Sequence, residues 1–166
     1  AQAVRDVVDL LSRGARKRGV SLQRETAENL PLVRLPEGEV KQVLYNLIQN
    51  AVQATPAGQA VRIRIAGDCN EIAVIVEDQG PGIPDDVLPR IFDPFFSTKT
   101  DDVHAGMGLG LSVSRSVIEA LGGRIEVDSR PARGSTFTAI FPTSAEASPH
   151  ETVDADTEPD HENPDR

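Results

Sequence analysis

VLYNLIQNAVQA, Val43 to Ala54, decides how the rest of the chain is read. Val43, Leu44, Leu47, Ile48 and Ala51 recur at helical spacing, while Gln42, Asn46, Gln49, Asn50 and Gln53 form a second stripe of amides on the same rod. The segment reads as a helix with two working faces. Asparagine competes for nearby backbone groups and is a poor helix former, so Asn46 and Asn50, one turn apart and pointing the same way, need a reason. Taken alone, the pair reads most simply as a solvated face. The sharper reading is that Asn50 offers a neutral oxygen to a hard cation already carrying phosphates. Magnesium suits that role, because it keeps several waters and needs only one or two protein oxygens beside those of phosphate.

On the N-terminal side, Val4, Val7, Val8 and Leu11 share one face between Ala1 and about Arg18, and Gly19 ends the run, which predicts a first helix with a basic last turn. Val20 to Arg24 and Leu32 to Leu35 read as short strands. Pro36 to Gly38 leads into the central helix, which Thr55, Pro56 and Gly58 terminate.

On the C-terminal side, Val61, Ile63 and Ile65 alternate with Arg62 and Arg64, and Ile72, Val74 and Val76 share the face of a second strand. The next residue on that face is Asp78. A carboxylate continuing the inward side of an apolar strand is costly unless something hydrogen-bonds it. Gln79, Gly80, Pro81 and Gly82 follow, a turn in which glycine lets backbone approach a ligand. Asp85 to Arg90 predicts one helical turn, IFDPFF spans Ile91 to Phe96, and Ser97 to Ala105 reads as a polar lid or binding loop. GMGLGL, Gly106 to Leu111, then runs into an amphipathic helix closed by Gly122 and Gly123. Two strands follow, one holding Ile125 and Val127, the other turning Ser135, Phe137, Ala139 and Phe141 inward. With every strand burying one face, the pattern predicts an α+β fold: a two-layer α/β sandwich with helices on one face of a mixed, mainly antiparallel sheet.

The 166-residue chain carries a formal charge of −9, unevenly placed. From Thr143 onward eight acids face Arg166 alone, a net of −7; residues 1–142 hold eighteen acids and sixteen bases, a net of −2. We therefore expect one domain over 1–142 and an acidic, disordered tail over 143–166. No basic stripe with interleaved aromatics points to nucleic acid. The single cysteine, Cys69, fits a reducing compartment, and no apolar run suggests a membrane span, so a cytoplasmic domain without direct membrane contact is expected. The chain starts at Ala1 inside an amphipathic pattern, which suggests a piece of a longer protein.

The glycines Gly106, Gly108 and Gly110 precede a helix, so backbone N–H groups and the helix dipole would face an anion, with phosphate the natural candidate. Asp78 would accept from an exocyclic amine such as adenine N6, worth about 1.5–3 kcal/mol when charge-assisted, and guanine would present a carbonyl there instead. Ser135, on the inward face of the last strand, would hold the same carboxylate or a bridging water.

Together NLIQNAVQA, DQGPG, FDPFF, GMGLGL and GSTF resemble, in order and spacing, the N box, first glycine box, F box, second glycine box and closing GTxF element of the catalytic ATP-binding domain of sensor histidine kinases. That domain belongs to the GHKL superfamily with its Bergerat-type fold. FDPFFSTK and GMGLGLSVSRSVIEALGG are most similar to the nitrogen-regulatory and oxygen-sensing branch. The resemblance implies ATP between helices and sheet, with adenine on Asp78, magnesium on Asn50, and a lid from about Pro84 to Ala105 closing over the phosphates. It further implies nucleotide contacts from Gly80, Gly82, Gly106, Gly108, Leu109, Gly110, Leu111 and Ser135, with Lys99 a phosphate contact by charge.

Two departures stand out. Relatives that hydrolyse ATP carry a catalytic glutamate where this chain has Asn46, which cannot take a proton, so transfer to a side chain with slow hydrolysis is expected. An acidic residue is also expected near Pro36 and is read as absent. His104 falls in the lid and His150 and His161 in the tail, so the acceptor histidine is expected on a separate dimerisation domain of the same protein. The resemblance implies a response regulator receiver domain as the onward partner, and the chain by itself is expected to be monomeric. Competing readings are a GHKL-type ATPase, a protein serine kinase, or a nucleotide-binding scaffold without catalysis.

Overall fold

The computed structural model describes residues 1–96 and 108–143. Three helices cover one face of a five-stranded sheet: α1 (Gln2–Lys17), α2 (Glu37–Ala54) and α3 (Gly110–Ala120) against β1 (Ser21–Thr26), β2 (Ala60–Gly67), β3 (Glu71–Glu77), β4 (Arg124–Ser129) and β5 (Ser135–Pro142). The sheet order is β1-β2-β3-β5-β4, parallel between β1 and β2 and antiparallel elsewhere. This is the predicted two-layer sandwich.

α2 is the central helix, packed between α1 and α3. Its buried residues, Val40, Val43, Leu44, Leu47, Ile48, Ala51 and Val52, meet Val61, Ile63, Ile65, Val74 and Val76 of the sheet in one core. α1 contributes a narrower stripe, Val4, Val7, Leu11 and Ala15, and α3 buries Ile118 and Ser114. The crossover from β1 through α2 to β2 makes that parallel pair, and Ser21 pairs with Ala60 at its start.

Four expectations need correction. Leu32 to Leu35 forms no strand: Pro31 and Pro36 bracket it, removing ladder donors, and Leu32 is fully exposed. β1 does not bury a face, because as an edge strand it has only Leu22 packed against the core. The helical turn expected over Asp85–Arg90 shrinks to a 3₁₀ turn, Leu88–Arg90, with Pro89 inside it. The start of α2 is acidic after all, since Glu37 and Glu39 occupy its first turn, where they complement the helix dipole.

The first part of the expected lid is anchored. Ile91 is buried, and Val87, Leu88, Phe92 and Phe96 pack against the core, so residues 84–96 belong to the body of the fold. Arg90 lies 4.7 Å above the Phe96 ring and Arg115 5.6 Å above that of Phe92, both within cation–π range. Residues 97–105, with Lys99 and His104, lie outside the described residues, as do Gly106 and the tail histidines His150 and His161.

Candidate functional site

Three successive turns of α2 lay out the site. Asn46, Asn50 and Ala54 stand four residues apart on one stripe, about 12 Å along the helix axis from first to last. At one end, Asn46 Nδ2 donates to the Gly110 carbonyl (3.1 Å) and to Ser114 Oγ (3.2 Å), tying α2 to the first turn of α3. At the other end, Gly80 lies on Ala54: a Cβ at Gly80 would stand 2.8 Å from the Ala54 carbonyl oxygen and 2.9 Å from Asp78 Oδ1. Between these fixed ends is Asn50, half-buried, whose side chain hydrogen-bonds none of the described residues.

Asp78 is 4% exposed. β3 carries it inward because Ile72, Val74 and Val76 set the phase, and pairing continues one step beyond the strand, with the Asp78 N–H on the Ser135 carbonyl at 2.9 Å. Its Oδ1 accepts from the Gly80 N–H (2.8 Å) and the Ser135 N–H (3.2 Å). Neither of these donors reaches Oδ2. Burial pushes the Asp78 carboxyl above its ordinary value, while the Gly80 and Ser135 N–H groups and the Ser135 hydroxyl pull against that shift. Ser135 thus supports Asp78 chiefly through its backbone, whereas its sequence position pointed to the hydroxyl.

At the Asn46 end, Leu109 is the N-cap of α3, and Gly110 and Leu111 open the helix. Its first N–H groups lack partners within the helix and are available to an anion. Gly108 adopts φ +69°, and a Cβ there would stand 2.6 Å from the Phe95 carbonyl carbon and 2.8 Å from the Phe96 carbonyl oxygen. Gly108 therefore meets Phe95 and Phe96 backbone to backbone.

Gly110 itself is not crowded: among the described residues a Cβ there would make ordinary van der Waals contact with Asn46, whose Cγ would stand 3.7 Å away. Asn50 suits magnesium by chemistry, being a neutral hard oxygen that supplements phosphate ligands. Among the described residues no group of three His, Cys, Asp or Glu could hold a metal by itself.

Sequence reasoning passed over three residues here. Ser114 is fully buried and donates to the Gly110 carbonyl at 2.7 Å; its signal was its place four residues before buried Ile118. Thr55, the buried C-cap of α2, offers Oγ1 to the Gln79 N–H at 3.4 Å. Ser129 extends the inward alternation of Ile125 and Val127, the same pattern that singled out Asp78.

Residues 36–145 match the family described as histidine kinase-, DNA gyrase B-, and HSP90-like ATPase. Sporulation kinase A of Bacillus subtilis (strain 168) is 39% identical over 137 residues, covering 82% of this chain and 22% of that protein. The sensory histidine kinase/phosphatase NtrB of Rhizobium leguminosarum bv. phaseoli is 35% identical over 162 residues, covering 88% of this chain and 41% of that protein. This chain thus spans well under half the length of either. Among solved structures, the nucleotide-free catalytic domain of histidine kinase ThkA superposes with a TM-score of 0.75 at 36% identity, over 86% of this chain and 91% of that one.

Proposed function

Because this chain belongs to the histidine kinase-, DNA gyrase B-, and HSP90-like ATPase family, as the ATP-binding catalytic domain of a sensor histidine kinase, we propose that it transfers the γ-phosphoryl group of ATP to a histidine on a separate dimerisation domain, for relay to a response regulator. The observation that carries this reading is the α2 stripe. It has a glycine turn with a buried carboxylate at one end, a helix N-terminus at the other and between them an asparagine whose side chain bonds none of the described residues, over a span suited to a nucleoside triphosphate.

Asp78 accepts a hydrogen bond from the exocyclic amine of adenine, with the Gly80 and Gly82 backbone beside the ring; the side chains these glycines lack make room for Ala54 and Arg130. The N–H groups from Gly108 to Leu111 take phosphate oxygens, joined by Gly106 and Lys99 from the adjoining segment. Asn50 holds magnesium, which when bound neutralises phosphate charge. The histidine nitrogen of the partner domain attacks the γ-phosphorus as the bond to the β-phosphate oxygen breaks, and ADP leaves. The chain contributes positioning and charge, as phosphoryl transfer requires.

Asn46 is neutral and already engaged with Gly110 and Ser114, so it activates no water. ATP hydrolysis without an acceptor is therefore slow. No helix among the described residues is long and apolar enough to cross a membrane, and we place the domain in the cytoplasm as a monomer apart from its dimerisation helices.

Calorimetric titration with ATP, ADP and GTP, with and without magnesium, tests the reading. Adenine nucleotides should bind and GTP should not, and Asn50→Ala should abolish the magnesium dependence while retaining adenine selectivity. Failure of the folded, unmodified protein to bind ATP would overturn the assignment. Phosphoryl transfer is then scored by mixing with a histidine-bearing dimerisation domain and following acid-labile label.

A further inference from the structure

The turn joining β4 to β5, Arg130 to Gly134, lies against the glycine turn that follows Asp78. The two turns meet at four places. The Ala132 N–H donates to the Pro81 carbonyl at 2.7 Å. The Ile83 N–H donates to Ser129 Oγ at 2.8 Å. A Cβ on Gly82 would collide with the Arg130 carbonyl oxygen, and one on Gly134 with that of Asp78. At the root of the turn, Ser129 Oγ also stands 3.0 Å from the Gly134 carbonyl and 3.0 Å from Ser135 Oγ.

Ser129 is 6% exposed and has one proton to give. The Gly134 carbonyl can only accept, so that proton is directed there, while the oxygen receives the Ile83 N–H. A single buried hydroxyl thus links the far end of the glycine turn to the residue preceding Ser135. Ser135 in turn supplies the N–H that holds Asp78 Oδ1. Gly80, the other donor to that oxygen, lies between Asp78 and the linked Ile83.

We propose that Ser129 is a positioning residue for nucleotide binding: its hydroxyl latches the β4–β5 turn to the Gln79–Ile83 turn and so fixes where the Asp78 carboxylate stands. This rests on the nucleotide reading of Asp78 given above. Ser129 touches no ligand and acts through the two donors of Asp78. Without the hydroxyl, the Ile83 N–H and Gly134 carbonyl lose their common partner, and the carboxylate is held by a turn free to shift.

The test compares Ser129→Ala with the unmodified chain at a temperature where urea melts show both fully folded, so that affinity does not register global stability. The expected result is about tenfold weaker binding of both ATP and ADP, the effect of one lost hydrogen bond, with the magnesium dependence retained. Amide exchange at Ile83 should accelerate in the same variant. Either an unchanged ATP affinity or an unchanged Ile83 amide overturns the latch. Should Ser129→Ala not fold, Ser129→Cys, which retains the volume with a weaker hydrogen-bonding group, takes both measurements. Absence of ATP binding by the unmodified protein would instead overturn the nucleotide reading, which distinguishes the two failures.

Discussion

Asp78→Asn is expected to lose the preference for ATP over GTP and to weaken ATP binding by at least about tenfold, while folding at neutral pH as well as the unmodified protein or better. The asparagine oxygen can still accept from the Gly80 and Ser135 N–H groups, as Oδ1 does now. The other atom becomes an NH₂ group, which meets the adenine amine donor to donor. The loss is that of a charge-assisted hydrogen bond, about 1.5–3 kcal/mol.

Stability should move the other way. Burial raises the folded-state pKa of Asp78 above the ordinary 3.8, so the folded protein favours the protonated form. The charge then costs stability progressively as pH rises from below the ordinary value through the raised one, and the cost is complete above both. Asparagine carries no charge to bury, so its advantage in urea melts should be greater at pH 7 than near pH 3. A variant that still discriminates ATP from GTP would remove the carboxylate from base recognition.

Gly82→Ala has the largest expected effect on the fold. Gly82 adopts φ +72°, a conformation that costs an L-residue roughly 1–2 kcal/mol. The new methyl would also collide with the Arg130 carbonyl, whose carbon would be only 2.7 Å away. That neighbour is backbone, so relief requires parting the two turns and stretching the Ala132–Pro81 and Ile83–Ser129 hydrogen bonds. We expect a loss of about 3–5 kcal/mol, at the extreme for a single substitution, read by urea denaturation and accompanied by loss of ATP binding. Gly58→Ala is the matched control: φ is +88°, but none of the described residues beyond its chain neighbours lies within 4 Å of the added carbon. It should show the conformational cost alone. Equal losses in the two variants would mean that the turns yield easily.

The elements legible in the sequence were those whose side chains alternate or recur against one core. α2 could be read because its apolar stripe is wide, and β2 and β3 because Val61 to Ile65 and Ile72 to Val76 each have a buried phase. Asp78 was legible for the same reason, as a polar residue in an apolar phase. Ser129 offered the identical signal after Ile125 and Val127, but a serine is inexpensive to bury and draws less notice than a carboxylate.

What misled was composition without partners. Leu32 to Leu35 has the residues of a strand, but Pro31 and Pro36 on either side remove ladder donors and no described strand pairs with it. The glycines were legible as turns, but which backbone each one admits was not. That Gly82 opposes Arg130 and Gly134 opposes Asp78 depends on distant segments meeting. The role of Asn46 as a tie to Gly110 was hidden likewise, since its partner lies 64 residues away.

The meeting of Gly108 with the Phe95–Phe96 backbone bears on how such a domain can diversify. Phe95–Phe96 and Gly108 touch, so the length of chain joining them is only a weak constraint on the described body. Loop closure grows only logarithmically, by about 0.6 kcal/mol for each doubling of length. Segments of very different size and chemistry can therefore be exchanged at that junction while α2, α3 and the glycine turns remain in place. The described body can in this sense stay constant while the chain joining Phe96 to Gly108 is exchanged, so descendants can alter that segment without rebuilding the packing of α2, α3 and the glycine turns.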